Sequence, residues 1–305
     1  MAWSVVWLEF TTPTGRVTSE SATVYSLAIA FDLLEPHQRQ HADDRLAEIV
    51  TKSNFTISTG FARTPLVTDA LSSTGHVEEA YLLLLQERCP SFLYPVTKGA
   101  TTIWERWDSV RPDGSINPSG MTSLNHYALG AVASWMHRVI GCLTATAPGY
   151  ETMRIAPQPG GGLTHATLEH DTVHGRVTVA WSLDGQRGHM SVTVTAGTQA
   201  ELVLPAAADT AALRLSAGTH EFDYDLEVAP LASVTLDTPL SELASHPRAW
   251  AAVSGLFAVH MPSVPLDASA PESAQLSLAQ LLQYLPGEVH TLREELSPAL
   301  ERLAN

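Results

Sequence analysis

Positive charge is scarce in this chain. Its 305 residues carry 17 Lys plus Arg against 32 Asp plus Glu, a formal net charge of −15. A nucleic-acid or anionic-membrane partner would call for clustered Lys and Arg, so both are excluded as expectations, while neutral ligands such as sugars stay open. Cysteine is nearly absent too. Cys89 and Cys142 are too few and too far apart for a disulfide framework or a zinc site. Reduced thiols in a cytoplasm are the expectation this sets. No apolar run approaches the ~18–20 residues that span a bilayer. The opening Met1–Phe10 lacks basic flanks and a small-residue cleavage site, and so does not read as a signal peptide. What is plentiful is ordinary apolar content, 45% of residues, enough for a sizeable core and for two domains or one with an appendage.

Against this plain background the octet Thr101–Asp108, reading TTIWERWD, stands out. Trp104, Glu105, Arg106, Trp107 and Asp108 are consecutive. Indole faces stack on sugar rings as readily as on other side chains. A carboxylate held between two of them is partly desolvated, which suits it to general acid or base work. Arg106 and Asp108 supply charges able to orient Glu105. The same residues equally fit a buried ion pair in a helix-packed core.

Apolar spacing predicts helices over 19–34, closed by Pro36, and over 40–52. A Gly- and Pro-punctuated loop follows at 58–65. A helix pair, 66–73 and 77–88, is separated by Thr74-Gly75-His76, and one long helix is expected over 121–141. Repeated helical hairpins joined by long loops suggest an α/α barrel with its chemistry at the loop ends. After Ala147 the period changes to two. Val177, Val179, Trp181 and Leu183 fall on one side of a strand and Arg176, Thr178, Ala180 and Ser182 on the other. Further short strands are expected at 190–194, 200–204, 213–215, 221–224 and 233–236, making an antiparallel sandwich. Beyond Pro239 the helical period returns: Ser277 is placed to cap one helix and Ser297-Pro298 to open a last one. His165, His170 and His174 fit no metal-ligand spacing and read as solvated strand positions. Arg63 suits either a pocket wall or a helix cap, and Leu278, Leu281, Leu282 and Leu285 read as packing.

Taken together, TTIWERWD and Asn125–Ala131 (NHYALGA) carry a resemblance, supported in order by Gly15–Thr18, Ser58–Phe61, Thr64-Pro65, Arg111–Gly114, Met121–Tyr127, Pro157–Leu163 and His174–Arg176. From about Leu8 to about Leu240 the chain resembles the C-terminal part of a bacterial α-L-rhamnosidase, an inverting glycoside hydrolase. The resemblance implies a partial (α/α)6 barrel over 1–146 and an antiparallel β-sandwich over 147–239, and the helical period beyond Pro239 adds a short helical C-terminal segment over 240–305. It implies Glu105 as general base, with Trp104, Trp107, His126, Arg106 and Asp108 as substrate-binding residues. It calls for no metal and no cofactor, and for a rhamnose-containing glycoside or polysaccharide as substrate.

The family's general acid sits in an upstream Asp- and Arg-rich segment. Nothing between Met1 and Thr101 resembles it, and Glu9, Asp69 and Glu78 lack its context. The expectation is therefore a chain that lacks the acid and about half the barrel, with the missing half or a second copy as partner. The alternative is a non-catalytic remnant or split subunit that binds sugar weakly or completes a barrel with another chain.

Overall fold

The computed structural model describes residues 10–61, 63–205, 212–226, 234–264, 266–268, 270, 272–285 and 289–304. They form two compact units. One is drawn from 1–129 and 230–305, the other from 130–229.

The first unit is helical. Helix α1 spans Ala22–Ala30, shorter than the apolar spacing suggested, and buries Tyr25, Ala28 and Ile29. The chain turns at Phe31–Leu33, where Asp32 adopts a positive φ of 51°. Pro36 does not close α1 but opens α2, Pro36–Lys52. Proline's fixed φ and missing N–H suit a first helical position, and Gln38 Oε1 accepts the Glu35 N–H at 3.1 Å. Gln38 Nε2 also donates to the Thr12 carbonyl at 3.0 Å. That tie explains Gly15: at φ +91° a Cβ there would stand 2.3 Å from the Gln38 carbonyl oxygen. Helices α3, Thr64–Ser73, and α4, Val77–Leu85, are joined through Gly75 at φ +93°, and a one-turn α5 occupies Tyr94–Thr97.

The long helix expected over 121–141 is not formed. Residues 121–127 are non-helical and Met121 has φ +61°. Their backbone groups pair with another loop: Glu105 N–H donates to Ser123 O at 2.9 Å and His126 N–H to Ile103 O at 2.7 Å. A donor committed across a loop cannot serve an i→i−4 ladder, so helix starts only at Ala128. It then runs as a 3₁₀ turn over Ala128–Ala131, α6 at Val132–Trp135 and a π-helical turn at Met136–Ile140.

The described residues of the second unit hold eight strands: β1 Leu143–Ala145, β2 Thr152–Ile155, β3 His165–Thr172, β4 Gly175–Asp184, β5 Arg187–Val194, β6 Gln199–Leu202, β7 Leu213–Leu215 and β8 Gly218–Asp225. They make two four-stranded sheets, ordered β1-β2-β6-β7 and β3-β4-β5-β8. All pairs are antiparallel except β2 with β6, which is parallel. Alternation on β4 is as expected. Val177, Val179 and Trp181 are buried and join Leu143, Met153, Ile155, Met190, Val192 and Leu202 in one core. Ser233 of the expected strand 233–236 lies outside the described residues, and 234–236 is not strand.

Helices α7 Leu240–Ala244, α8 Pro247–His260, α9 Leu278–Tyr284 and α10 Val289–Ala304 return to the first unit, where α8 packs on α2, α4 and α10. Ser277 caps α9 in a reciprocal box with Gln280. Pro298 lies inside α10 rather than opening a helix. The buried residues Leu292, Leu296 and Leu300 carry one face straight through it. Tyr25, Ile29 and Leu84 are 0%, 3% and 6% exposed, so the apolar faces of these helices are covered.

Candidate active site

Two loops of the helical unit make the site. Residues 103–105 and 123–126 run side by side through the two backbone bonds given above. A third tie closes the pair: Glu105 Oε2 accepts the Ser123 N–H at 3.1 Å. The carboxylate is thus half-buried and held by main chain, with one oxygen committed.

Arg106 was expected to orient Glu105. It is instead bonded to Asp108, through Nε to Oδ1 at 2.5 Å and Nη2 to Oδ2 at 3.2 Å, and it also reaches the Ser119 hydroxyl. Asn117 Nδ2 donates to Asp108 Oδ2 at 2.7 Å, and Asn117 Oδ1 accepts from the Ser119 hydroxyl at 2.7 Å. Arg106, Asp108, Asn117 and Ser119 therefore form one network that ties the turn 109–119 to the octet. Val110 and Ile116 bridge across that turn.

The two indoles part company. Trp104 is 4% exposed and meets the Tyr94 ring edge-on, centroids 6.5 Å apart. Trp107 is half-buried, edge-on to Phe92 at 5.3 Å. His126 does not sit on a helix. It lies in the extended run, half-buried, with its ring 5.5 Å from Phe61 and stacked on Tyr127 at 5.6 Å. Its Nδ1 accepts the Ala128 N–H at 3.3 Å, capping the 3₁₀ turn. A neutral imidazole accepting at Nδ1 carries its proton on Nε2, so Nε2 is the donor toward any ligand.

Tyr94 and Cys89 sit beside this network. Burial raises the Tyr94 phenol, and the Cys89 and Asp108 charges add to the effect. Burial likewise raises the Cys89 thiol, reinforced by Asp108 and opposed by Arg106. Tyr94 gives its hydroxyl proton to the Val110 carbonyl at 2.9 Å, a structural tie.

Glu9 lies outside the described residues. Glu78 of α4 stands 3.5 Å from Arg248 of α8. Sequence reasoning missed Asn117, Ser119 and Ser123 as the residues that hold the site. Ser123 lies in the recognised stretch Met121–Tyr127, but which backbone groups pair across two loops is a tertiary fact. His170 also departs from its solvated reading. It is half-buried on β3, 5.0 Å from the His137 ring and 4.6 Å from Tyr150. Burial lowers the His137 pKa, with the charges of His170 and Arg138 in the same direction.

Helical hairpins presenting a carboxylate loop beside a histidine loop, and a separate two-sheet domain, are the build of a six-hairpin glycosidase. Residues 6–140 match the bacterial alpha-L-rhamnosidase 6 hairpin glycosidase domain, and residues 142–215 match the bacterial alpha-L-rhamnosidase C-terminal domain. The chain belongs to this glycoside hydrolase family. The alpha-L-rhamnosidase of Streptomyces avermitilis is 38% identical over 192 residues, 63% of this chain and 19% of that protein. That of Formosa agariphila is 38% identical over 193 residues, 63% of this chain and 21% of that protein. The chain thus spans about a fifth of the length of the curated relatives it matches. Among solved structures, the Aspergillus terreus α-L-rhamnosidase superposes with a TM-score of 0.70 at 38% identity, over 72% of this chain and 26% of that one. The Streptomyces avermitilis enzyme complexed with L-rhamnose gives 0.69 at 32% identity, over 73% and 23%.

Proposed function

We propose that this chain supplies the general-base half of an inverting α-L-rhamnosidase site, with Glu105 as the base. The observation that carries it is the clamp on Glu105: Oε2 is fixed by the Ser123 N–H in a loop pair that also positions His126. In this reading Oε1 takes the proton from a water that attacks the anomeric carbon. His126 Nε2 donates to a sugar hydroxyl, and Trp107 offers an apolar wall to the ring. Trp104 acts from beneath, as packing. Arg106 and Asp108 hold the loop and reach the sugar from its edge. Inversion needs a second carboxylate ~6.5–9.5 Å from the base to protonate the departing oxygen. The proposal assigns that acid to a segment outside this chain. No metal or cofactor enters the mechanism.

The test joins residues 1–305 to the preceding part of the Streptomyces avermitilis barrel and follows an aryl α-L-rhamnoside. The chain alone is expected to release no chromophore, and the joined protein to turn over. NMR of the first product should give β-L-rhamnose. In the joined protein Glu105→Gln should cut kcat by several orders of magnitude and leave KM nearly unchanged, because the isosteric amide removes the base and keeps the contacts. Near-normal turnover in Glu105→Gln would remove it from the mechanism.

A second reading, a piece that holds rhamnose without hydrolysing it, draws on the burial of Tyr25, Ile29 and Leu84 inside the unit itself. It is favoured if the joined protein stays inactive while the chain alone binds L-rhamnose in a His126-dependent way.

A further inference from the structure

A buried side-chain amide must find partners for two acceptor positions on its oxygen and two N–H donors on its nitrogen. Asn117 is 7% exposed and satisfies them all. Its Oδ1 accepts the Ser119 N–H at 3.1 Å and the Ser119 hydroxyl at 2.7 Å. Its Nδ2 donates to Asp108 Oδ2 at 2.7 Å and to the Asp108 carbonyl at 3.3 Å. The position thus demands a donor toward the octet and an acceptor toward Ser119. An ionised aspartate, of the same size, offers no donor, and leucine offers neither group.

The partners of this amide lead to Glu105. Asp108 grips Arg106 through two bonds, and the Ser119 hydroxyl accepts from the same guanidinium. Asn117 N–H donates to Ser109 O at 2.9 Å. Ser109 in turn donates its N–H and its hydroxyl to Arg106 O, at 3.3 and 3.1 Å. Residues 106–109 therefore close into a turn that is fastened to Asn117, and Glu105 leads directly into it. On its other side Glu105 is fastened to Ser123 through main chain and carboxylate. One run of chain, 117–123, grips the Glu105 loop at both ends. A single tie leaves a carboxylate free to pivot, whereas two fix its direction.

We infer that Asn117 is a positioning residue for Glu105, acting through Asp108, Ser109 and Ser119 to hold the loop in its working orientation. The inference rests on the reading of Glu105 as the base. Freed on the Asn117 side, the carboxylate swings on its Ser123 tie, and a displacement of about 1 Å at a reacting group costs ~10²-fold in rate. The role also ranks two substitutions. Asn117→Ala removes the bonds. Asn117→Asp keeps the size but sets a second carboxylate against Asp108 Oδ2, and two carboxylates in such contact repel. Asn117→Asp is therefore the more damaging change. A side chain that only filled space would give the reverse order.

The experiment first measures amide hydrogen exchange by NMR in the chain 1–305. Asn117→Ala should lower the protection of the Glu105 and Ser123 amides about tenfold and leave that of the α4 amides unchanged, because the opening is local. Asn117→Asp should lower it further. If Asn117→Ala does not fold, Ser119→Ala, which removes only the hydroxyl shared by Arg106 and Asn117, takes its place and should lower protection at the same two amides. In the joined protein, Asn117→Ala should reduce kcat tenfold or more with KM within about twofold, the signature of a displaced reacting group rather than lost binding. The inference is overturned if the Glu105 and Ser123 amides keep their protection, if α4 loses protection equally, or if Asn117→Asp is the milder variant. It is also overturned if the joined protein is active and Asn117→Ala turns over normally, which leaves the Glu105 proposal standing. An inactive joined parent would count against the Glu105 proposal instead, and the exchange measurements then decide the role of Asn117 by themselves.

Discussion

At the scale of single residues, the two tryptophans of the octet make opposite predictions. Trp104 is almost fully enclosed, and removing a buried indole leaves a cavity. Trp104→Ala is expected to cost about 3–5 kcal/mol of stability in chemical denaturation. Trp107→Ala should weaken L-rhamnose binding severalfold with a smaller fall in Tm, because that ring is only half covered. A reversed pattern would exchange their roles. His76 gives a pH-dependent case. Its ring lies 3.5 Å from Glu79 and 3.3 Å from Asp44. The Glu79 hydrogen bond raises its pKa, burial opposes this, and the Glu79 and Asp44 charges add to the rise. A folded-state pKa above the unfolded value means the imidazolium stabilises the fold fully below about pH 6.5, an advantage lost as pH climbs through the folded value. His76→Gln should therefore lower Tm at about pH 5.5 and approach the parent at about pH 9. An equal deficit at both would rule out the ionic account.

At the scale of elements, what was legible followed from burial pattern. The strand Gly175–Asp184 shows strict alternation because one face meets the core, and α2 and α4 could be read from their buried stripes. β3 was not legible. It is an edge strand whose residues are His165, Thr167, Glu169 and Asp171 between Ala166, Leu168 and His170, and an edge has only a partly covered face to write into sequence. The false helix over 121–127 arose because its residues were spaced for a helix while the partners that prevent one, Ile103 and Glu105, lie some twenty residues earlier. The candidate site was legible in its chemistry and not in its wiring: Glu105 and His126 were named, whereas Ser123, which holds the carboxylate, was not. The paired strands β5 and β8 carry their own test. Gly188 stands opposite Tyr224, and a Cβ there would lie 2.3 Å from the Tyr224 ring. Gly188→Ala must push that ring from its place against the core, and a loss of about 1–3 kcal/mol in unfolding free energy is expected. An unchanged midpoint would mean the ring moves freely.

At the scale of the whole molecule, the first unit is discontinuous in sequence, and its later segment is not an ornament. Trp250, Val253 and Phe257 of α8 are 3%, 0% and 2% exposed, and α8 packs on α2, α4 and α10. Removing residues 240–305 would strip that cover from α2 and α4. The shortened chain is expected to self-associate more than the parent in light scattering, since large exposed apolar patches drive association. A monodisperse shortened chain would show that α8 is dispensable.

The same discontinuity sets a timetable for synthesis. Helix α4 ends at Leu85, and the ribosome must translate the whole of 130–229 before it reaches Trp250. At about 5–20 residues per second the early helices emerge on the order of ten seconds or more ahead of their cover. During that interval the two-sheet unit, contiguous in sequence, is free to fold first. The nascent helices wait with one side open, which makes chaperone occupancy on arrested chains ending between residues 130 and 240 the place where this architecture should leave its mark.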